Sequence, residues 1–200
     1  MGATEVYRVA TAKNGVTFMR MKSKANIRNL CHRCLSLLVS NILPFFAQRH
    51  VLRFFRSKVG AGVTIHRHVF FYYGLGNLEI GDNTTINSGV RLDNRGKIRI
   101  GANVSISRDC LLLTAGHDIQ SGDFAFQRHT IEIGDRAVLF TSVIVCPKVS
   151  IGDGAVILPG SVVVKNVPEY EVWGGNPAKF IKKRSNELIY ELKHDSWFAL

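Results

Sequence analysis

An aliphatic side chain recurs at every sixth residue between residues 133 and 163. A small or β-branched residue follows four positions after each of these aliphatic residues. A period of six matches neither the 3.6-residue period of a helix nor the two-residue alternation of a strand. The aliphatic set is Ile133, Leu139, Val145, Ile151, Ile157 and Val163, and the second set is Ala137, Val143, Val149, Ala155, Ser161 and Val167.

The six-residue period predicts an all-β solenoid, in which a short strand and a turn recur in every hexapeptide. Three hexapeptides form one triangular coil. The aliphatic side chains stack inside it, and the smaller residues fit where the interior is tight. The pattern also occurs upstream in shorter blocks, which favours the solenoid over an ordinary β-sandwich. These blocks contain Val59; Ile80, Ile86 and Leu92; and Ile100, Ile106 and Leu112.

Two irregularities interrupt the repeat. Ile80 and Ile100 are 20 residues apart, which predicts a two-residue bulge near residues 94–97. After Leu112 the next repeat position would be Asp118, yet the pattern resumes only at Ile133, so about 15 residues leave the coil. Long loops inside a compact repeat are usually functional. We therefore predict a protruding loop at about 116–131, with His117 at its base.

The net charge of +11 is concentrated at one end of the chain. Residues 1–58 contain eleven Lys or Arg and one acidic residue, whereas residues 59–200 contain fifteen basic and fourteen acidic residues. The repeat region is therefore nearly neutral, which argues against a nucleic-acid groove on it. A basic segment attached to a neutral domain needs a separate explanation.

Residues 26–56 mix Leu, Ile and Phe with arginines, and Pro44 divides them into two predicted helices. The apolar run Leu35–Ala47 is shorter than the roughly 20 residues that cross a bilayer. Two interpretations stay open for this segment. It is either a helical cap over the first coil or a basic amphipathic surface that rests on an anionic membrane.

The cysteines and histidines give weak evidence for metal binding. Cys31 and Cys34 form a single CxxC, which fits one apolar helix face better than a zinc site. Cys110 and Cys146 occupy repeat positions and are expected in the core or a groove. We expect no metal and a reducing, cytoplasmic compartment.

Four stretches in order resemble the hexapeptide-repeat acyltransferases, most of all the galactoside, maltose and polysaccharide O-acetyltransferases. They are "IGDNTTINSG" (80–89), "LLLTAGHDI" (111–119), "IGDGAVILPGSVVVKNVP" (151–168) and "GGNPAKFIKKR" (174–184). The resemblance implies a left-handed parallel β-helix, a homotrimer with active sites between subunits, and acetyl-CoA as co-substrate. With the residue patterns at the two ends, the sequence predicts three segments: a basic, largely helical one (1–58), the β-helix (59–183), and a short C-terminal helix (184–200).

The resemblance places the family's catalytic histidine at His117 and its active-site asparagine at Asn87. An imidazole can act as general base on a sugar hydroxyl, and an amide can align the acceptor or stabilise an oxyanion. The alternative for Asn87 is a turn residue. Asp93 lies near the family's acceptor-binding acid, and Phe124 and Phe126 are expected to close the acceptor pocket or to touch the next subunit.

The resemblance also implies a coenzyme groove between subunits. The pantetheine arm is expected along Ser142, Gly160 and Ser161. Basic side chains are expected to meet the phosphates. These basic residues are Lys165, Lys179, Lys182, Lys183 and Arg184.

The sequence departs from the family in one place that bears on the coenzyme. The family usually has Trp-Ile-Gly where this chain has Val138-Leu139-Phe140. A flat aromatic wall is therefore missing, and Phe140 adds bulk at a turn. A zinc β-helix of the carbonic anhydrase type is a further alternative, since His66, His68 and His129 accompany His117.

The sequence thus predicts an acetyl-CoA-dependent O-acetyltransferase acting on a sugar hydroxyl of a cell-surface polysaccharide or its lipid-linked precursor. A xenobiotic or serine-type acetyltransferase is the enzymatic alternative. A non-catalytic β-helix that serves as an assembly module is the third.

Overall fold

The chain forms two helices followed by a coiled stack of short strands. A computed structural model describes residues 23–43 and 45–192. The helices are α1 (Ser23–Ile42) and α2 (Phe45–Phe54), and they lie on either side of residue 44. The strands are numbered β1–β19 in chain order, and most of them form three parallel sheets that we call faces 1, 2 and 3.

Each turn of the chain adds one strand to each face. Face 1 contains β1 (Lys58–Val59), β4 (Leu78–Ile80), β7 (Lys97–Ile100), β12 (Thr130–Ile133) and β15 (Ser150–Ile151). Face 2 contains β2 (Thr64–Ile65), β5 (Thr85–Ile86), β8 (Ser105–Ile106), β13 (Val138–Leu139), β16 (Val156–Ile157), β18 (Glu171–Gly174) and the antiparallel edge strand β19 (Lys179–Lys183). Face 3 contains β3 (Phe70–Phe71), β6 (Arg91–Asp93), β9 (Leu111–Leu113), β14 (Ile144–Val145) and β17 (Val162–Val163).

The predicted solenoid is confirmed as a left-handed parallel β-helix. The residues at every sixth position form columns inside it. On face 2 the column Ile65, Ile86, Ile106, Leu139 and Ile157 follows the strand register, and none of these side chains is more than 1% exposed. Continuous aliphatic burial of this kind is the main stabilising contribution in a stack of coils.

The Ile-Gly-Asp pattern has a steric cause at the corner between faces 1 and 2. A β-carbon on Gly134 would collide with the carboxylate of Asp153 and with the backbone of Gly152 in the next coil. The Asp153 carboxylate accepts the backbone N–H of Asp135 at 2.8 Å. Glycine at this position therefore leaves space for the aspartate of the next coil, whose hydrogen bond to the backbone links the two coils.

The predicted bulge near residues 94–97 is a turn that fastens two coils. Asn94 is fully buried, and its amide donates to the carbonyls of Gly74 at 3.0 Å and Gly76 at 2.9 Å. Its Oδ1 accepts the N–H of Tyr73 at 2.9 Å. The two extra residues thus supply a buried amide that satisfies backbone groups of the coil before it.

A ladder of alternating charges runs across the outer surface of face 1. Lys58, Glu79, Arg99 and Glu132 are consecutive register partners, and Lys97 also reaches Glu79. Hydrogen bonds from Lys97, then Lys58 and Arg99, lower the pKa of Glu79 to about 2. The folded state therefore holds Glu79 ionised at pH values at which an unfolded chain would protonate it.

Replacing Glu79 with glutamine is expected to lower the free energy of unfolding at neutral pH. Because folding depresses this pKa, the contribution is present above about 4.5 and is lost as the pH falls towards about 2. Urea unfolding across this pH range should show the difference from wild type shrinking on acidification, and shrinking also with salt because the ladder is at the surface. Glu169→Gln is the control, since Glu169 is exposed and forms no ion pair with any described residue. A pH-independent loss would contradict the ion-pair explanation.

The helices cap the first coil. Val39 of α1 and Leu52 of α2 are fully buried in the same core as the columns of the β-helix. The Arg53 guanidinium donates to the carbonyl of Val59 at 2.5 and 2.8 Å, and the Ser57 hydroxyl donates to the carbonyl of Leu75 at 2.6 Å. The cap interpretation therefore holds for the buried side of these helices, whereas other apolar side chains of α1 are exposed.

The prediction of a helix over residues 184–200 is wrong for residues 184–192, and residues 193–200 lie outside the described ranges. Residues 184–192 instead have no regular secondary structure and run along the corner between faces 1 and 2. Arg184 donates to the carbonyls of Arg136 at 3.2 Å and Gly154 at 3.0 Å. The Tyr190 hydroxyl donates to the Arg136 carbonyl at 3.1 Å, and the backbone N–H of Leu192 donates to Asn103 at 3.0 Å. These contacts with the coils compete with the hydrogen bonds of a helix.

Across residues 23–43 and 45–192, no helix combines the length and the apolar composition that crossing a membrane requires.

Candidate active site

An antiparallel hairpin leaves the β-helix where the sequence predicts the protruding loop. Its strands are β10 (Ala115–His117) and β11 (Phe126–Arg128), and it lies at the corner between faces 3 and 1. The buried Thr114 fixes its base, because its carbonyl accepts the N–H of His129 at 2.7 Å and its hydroxyl donates to the carbonyl of Asp93. The hairpin is therefore anchored to the coil beneath it.

His117 is the last residue of β10, and its orientation is fixed by the hairpin. Its Nδ1 lies 2.7 Å from the carbonyl oxygen of Phe124. Because a carbonyl oxygen only accepts, Nδ1 carries the proton in the neutral ring, and Nε2 presents a lone pair. Nε2 makes no hydrogen bond with any residue within the described ranges. An exposed imidazole with a free basic nitrogen suits proton abstraction.

Two aromatic rings of the hairpin flank the imidazole. The Phe124 ring stacks on it with centroids 4.3 Å apart and planes 5° apart, and the Phe126 ring meets it edge-on at 5.4 Å. Phe124 has a φ of 50°, and its N–H donates to the carbonyl of Ser121 at 3.1 Å. This tight turn points the Phe124 carbonyl at His117. The structure therefore brings together three of the residues that the sequence assigns to the site.

Asp93 lies beneath the hairpin, but its carboxylate is not available to an acceptor. It is fully buried, and both its oxygens accept from Arg95, at 2.7 and 2.9 Å. This pairing raises the pKa of Arg95 above its usual value. We therefore revise the prediction that Asp93 binds the acceptor directly, because its carboxylate holds Arg95 in place.

Arg95 and Arg128 belong to the site, and sequence reasoning missed both. The guanidinium carbon of Arg95 lies 5.5 Å from the centroid of the Phe126 ring, and that of Arg128 lies 5.4 Å from it. The available signals were the two-residue bulge that contains Arg95 and the two-residue spacing of Phe126 and Arg128 in a strand.

Asn87 lies at the corner between faces 2 and 3, not at the hairpin corner. Its amide donates to the carbonyl of Ile106 at 3.0 Å, and Oδ1 makes no hydrogen bond with any other described residue. One chain therefore does not bring Asn87 and His117 into one site.

The predicted pantetheine residues lie at the same corner as Asn87. Ser142 and Gly160 are exposed and have φ values of 62° and 68°. Ser161 is fully buried, and its hydroxyl donates to the carbonyl of Leu158 at 2.6 Å and accepts the N–H of Gly175 at 3.1 Å. We therefore withdraw Ser161 as a residue that touches the coenzyme.

A cleft at the C-terminal end of the β-helix contains two of the predicted lysines. Lys165 and Lys179 line a volume of about 220 Å³ with an apolar and aromatic wall. The wall consists of Val164, Trp173, Pro177, Ala178 and Phe180. Lys182 and Lys183 are exposed on β19, whereas Arg184 is engaged by the backbone carbonyls described above. Phe140, the departure from the family, is 41% exposed at the corner of Asn87.

The histidines of the zinc alternative are not gathered in one place. His66 and His68 lie at the corner between faces 2 and 3, whereas His117 and His129 lie at the hairpin. No group of three or more His, Cys, Asp or Glu within the described residues could hold a metal ion. Cys31 and Cys34 are exposed on α1, and burial raises the pKa of the Cys110 thiol to about 11.

Known proteins resemble this chain in sequence and in fold. None of the protein-family models matches it. It is 39% identical over 134 residues to the putative colanic acid biosynthesis acetyltransferase WcaF of Escherichia coli (strain K12), a match that covers 67% of this chain and 73% of that protein. It is 31% identical over 133 residues to the galactoside O-acetyltransferase of the same organism, with 64% of each chain covered. Among solved structures, a maltose O-acetyltransferase from Clostridium difficile 630 has a TM-score of 0.71 at 29% identity, over 80% of this chain and 88% of that one.

Proposed function

Because this chain belongs to the hexapeptide-repeat acetyltransferase family, we propose that it transfers an acetyl group from acetyl-CoA to a sugar hydroxyl. We propose as acceptor a cell-surface polysaccharide or its lipid-linked precursor. The similarity to a putative colanic acid biosynthesis acetyltransferase supports this choice of acceptor.

The observation that carries the proposal is the hydrogen bond between His117 Nδ1 and the Phe124 carbonyl. It fixes the tautomer whose Nε2 can accept a proton, and the stacked Phe124 ring holds the imidazole plane. Nε2 removes the proton of the acceptor hydroxyl as the oxygen attacks the thioester carbonyl. The C–S bond then breaks, the imidazolium returns its proton to the leaving thiolate, and the products are an acetyl ester and coenzyme A.

We propose that the active site forms between two copies of the chain in a homotrimer. Asn87 and His117 lie at different corners of the triangular β-helix and in successive coils, so they can meet only across two copies. The corner between faces 2 and 3 of one copy would then supply both Asn87 and the exposed residues Ser142 and Gly160. The hairpin of the next copy would supply His117. Light scattering after gel filtration measures the molar mass in solution and so tests the proposed homotrimer. A monomeric mass would exclude an active site between copies.

The cleft at the end of the β-helix fits the charged end of the coenzyme. Lys165 and Lys179 place two ammonium groups beside an apolar wall that includes Trp173. This combination suits a phosphorylated nucleotide, since the cations bind phosphate and the apolar wall accepts the adenine ring. Lys182 and Lys183 add charge on the neighbouring strand.

The proposal can be tested by incubating the purified protein with acetyl-CoA and a panel of methyl glycosides. Release of the coenzyme thiol, with an acetyl ester on the sugar identified by mass spectrometry, would support it. Transfer to serine or to a xenobiotic hydroxyl, but to no sugar, would contradict a sugar acceptor and favour a small-molecule acetyltransferase. Absence of saturable acetyl-CoA binding would instead favour a non-catalytic assembly module.

We further propose that the protein acts in the cytoplasm and rests on the inner face of an anionic membrane through α1. Exposed apolar side chains follow the helix from Leu30 through Leu37 and Leu38 to Ile42, and each is at least 43% exposed. Residues 23–58 contain seven Lys or Arg and no acidic residue. Exposed apolar side chains in a segment whose charged residues are all Lys or Arg complement an anionic lipid surface.

Replacing Leu38 with aspartate is expected to weaken vesicle binding by about tenfold or more, because it removes apolar burial and adds repulsion. The measurement is co-sedimentation with phosphatidylserine-containing vesicles. Ile189→Asp is the matched control, because Ile189 is 95% exposed but lies far along the chain from α1. Equal binding of wild type to neutral vesicles, or equal loss in both variants, would contradict the proposed surface.

A further inference from the structure

One side of the hairpin combines the base with two arginines. In the β10–β11 register His117 faces Phe126, and Ala115 faces Arg128. Side chains two apart in a strand lie on the same side, so Phe126 and Arg128 share a side with His117. Arg95 approaches the same Phe126 ring from the coil below. The ring therefore has the imidazole and two guanidinium groups around it.

The two arginines differ in what holds them. Arg95 is fixed by its two-point pairing with the buried Asp93, which neutralises it in part and leaves Nη1 without a partner among the described residues. The Arg128 guanidinium forms no hydrogen bond or ion pair with any residue that the structure describes, and its residue is exposed. A positive charge is thus presented beside the base without an internal counter-ion.

We propose that Arg128, supported by Arg95, binds an anionic group of the acceptor, so that the enzyme selects an acidic sugar. This inference rests on the proposed function. The apolar face of a sugar ring lies against Phe126, one hydroxyl reaches His117 Nε2, and the anion meets the guanidinium groups. Guanidinium binds carboxylate and phosphate alike, so the anion is either a uronic acid carboxylate or a sugar phosphate. Arg128 positions the acceptor and takes no part in proton transfer.

The test compares kcat/KM for matched acceptors with acetyl-CoA fixed at a saturating concentration. The pairs are methyl glucoside with methyl glucuronoside, and methyl galactoside with methyl galacturonoside, with glucose 1-phosphate as the phosphate arm. Wild type is expected to favour an anionic acceptor by about 10- to 100-fold, the range for a hydrogen bond to a charged group. Whether the carboxylates or the phosphate carry the preference identifies the anion.

Arg128→Gln is expected to lower the ratio of kcat/KM between anionic and neutral acceptors to about one, through a higher KM for the anionic acceptors. Arg128→Lys should keep part of the preference, because the charge remains without the planar fork. Arg91→Gln is the control, as Arg91 is exposed on β6 and outside the hairpin. Equal use of the neutral glycosides, the uronic acid glycosides and glucose 1-phosphate by wild type, or an equal loss for neutral and anionic acceptors in Arg128→Gln, would overturn this inference alone. Turnover of no glycoside at all would overturn the proposed function with it.

Discussion

Replacing His117 with alanine is expected to lower kcat by about 10²- to 10⁴-fold, the range for loss of a general base. The KM for acetyl-CoA should change little, because the imidazole acts on the acceptor hydroxyl and the predicted coenzyme residues lie at another corner. The steady-state rate with a neutral methyl glycoside measures the effect without involving Arg128. Thermal unfolding of the variant should match wild type, since the ring is exposed and contributes little to the core.

His50→Ala is the control for this experiment, because His50 is exposed on α2 and is remote in the fold from the hairpin. It is expected to leave kcat unchanged. A His117→Ala enzyme that retained a rate within about threefold of wild type would remove this histidine from the chemistry. The proton acceptor would then have to be another group near the hairpin.

Replacing Leu139 with alanine is expected to lower the free energy of unfolding by about 2–5 kcal/mol. Its side chain is fully buried and lies between Ile106 and Ile157 in the face 2 column, so truncation leaves a cavity that two stacked strands cannot easily close. Urea unfolding, followed by circular dichroism, measures the change.

Val138→Ala is the matched control, because it is the neighbouring residue on β13 and points away from the column. Its side chain is only partly buried, so the expected loss is below about 1 kcal/mol. Equal losses at the two positions would mean that the column does not dominate stability.

The fold was predictable because a six-residue period constrains both the strands and the side chains inside them. Residues such as Ile86 and Leu139 are fully buried, as their place in the period predicts. The C-terminal segment was not predictable in this way. Leu188 and Leu192 have helical spacing, but the observed path depends on Asn103 and on the carbonyls of distant coils, which no local pattern encodes.

The site was predictable where one loop contains it. His117 and Phe124 are close in sequence, so the loop that the broken period reveals brings them together. Arg95 comes from another segment, and its contact with Phe126 depends on how the hairpin folds back over the coil. Ser161 is a different case, because its place in the small-residue set already predicted burial and conflicted with a role in binding the coenzyme.

The C-terminal segment 184–192 changes how the stack of coils can unfold. In an array in which each coil touches only its neighbours, the terminal coil can fray without disturbing the rest. Here Arg184 and Tyr190 bond to Gly154 and Arg136, and Leu192 bonds to Asn103, so one strap spans three successive coils. Loosening the last coil therefore costs contacts in the middle of the molecule. The strap converts a one-dimensional array into a unit whose C-terminal half unfolds cooperatively.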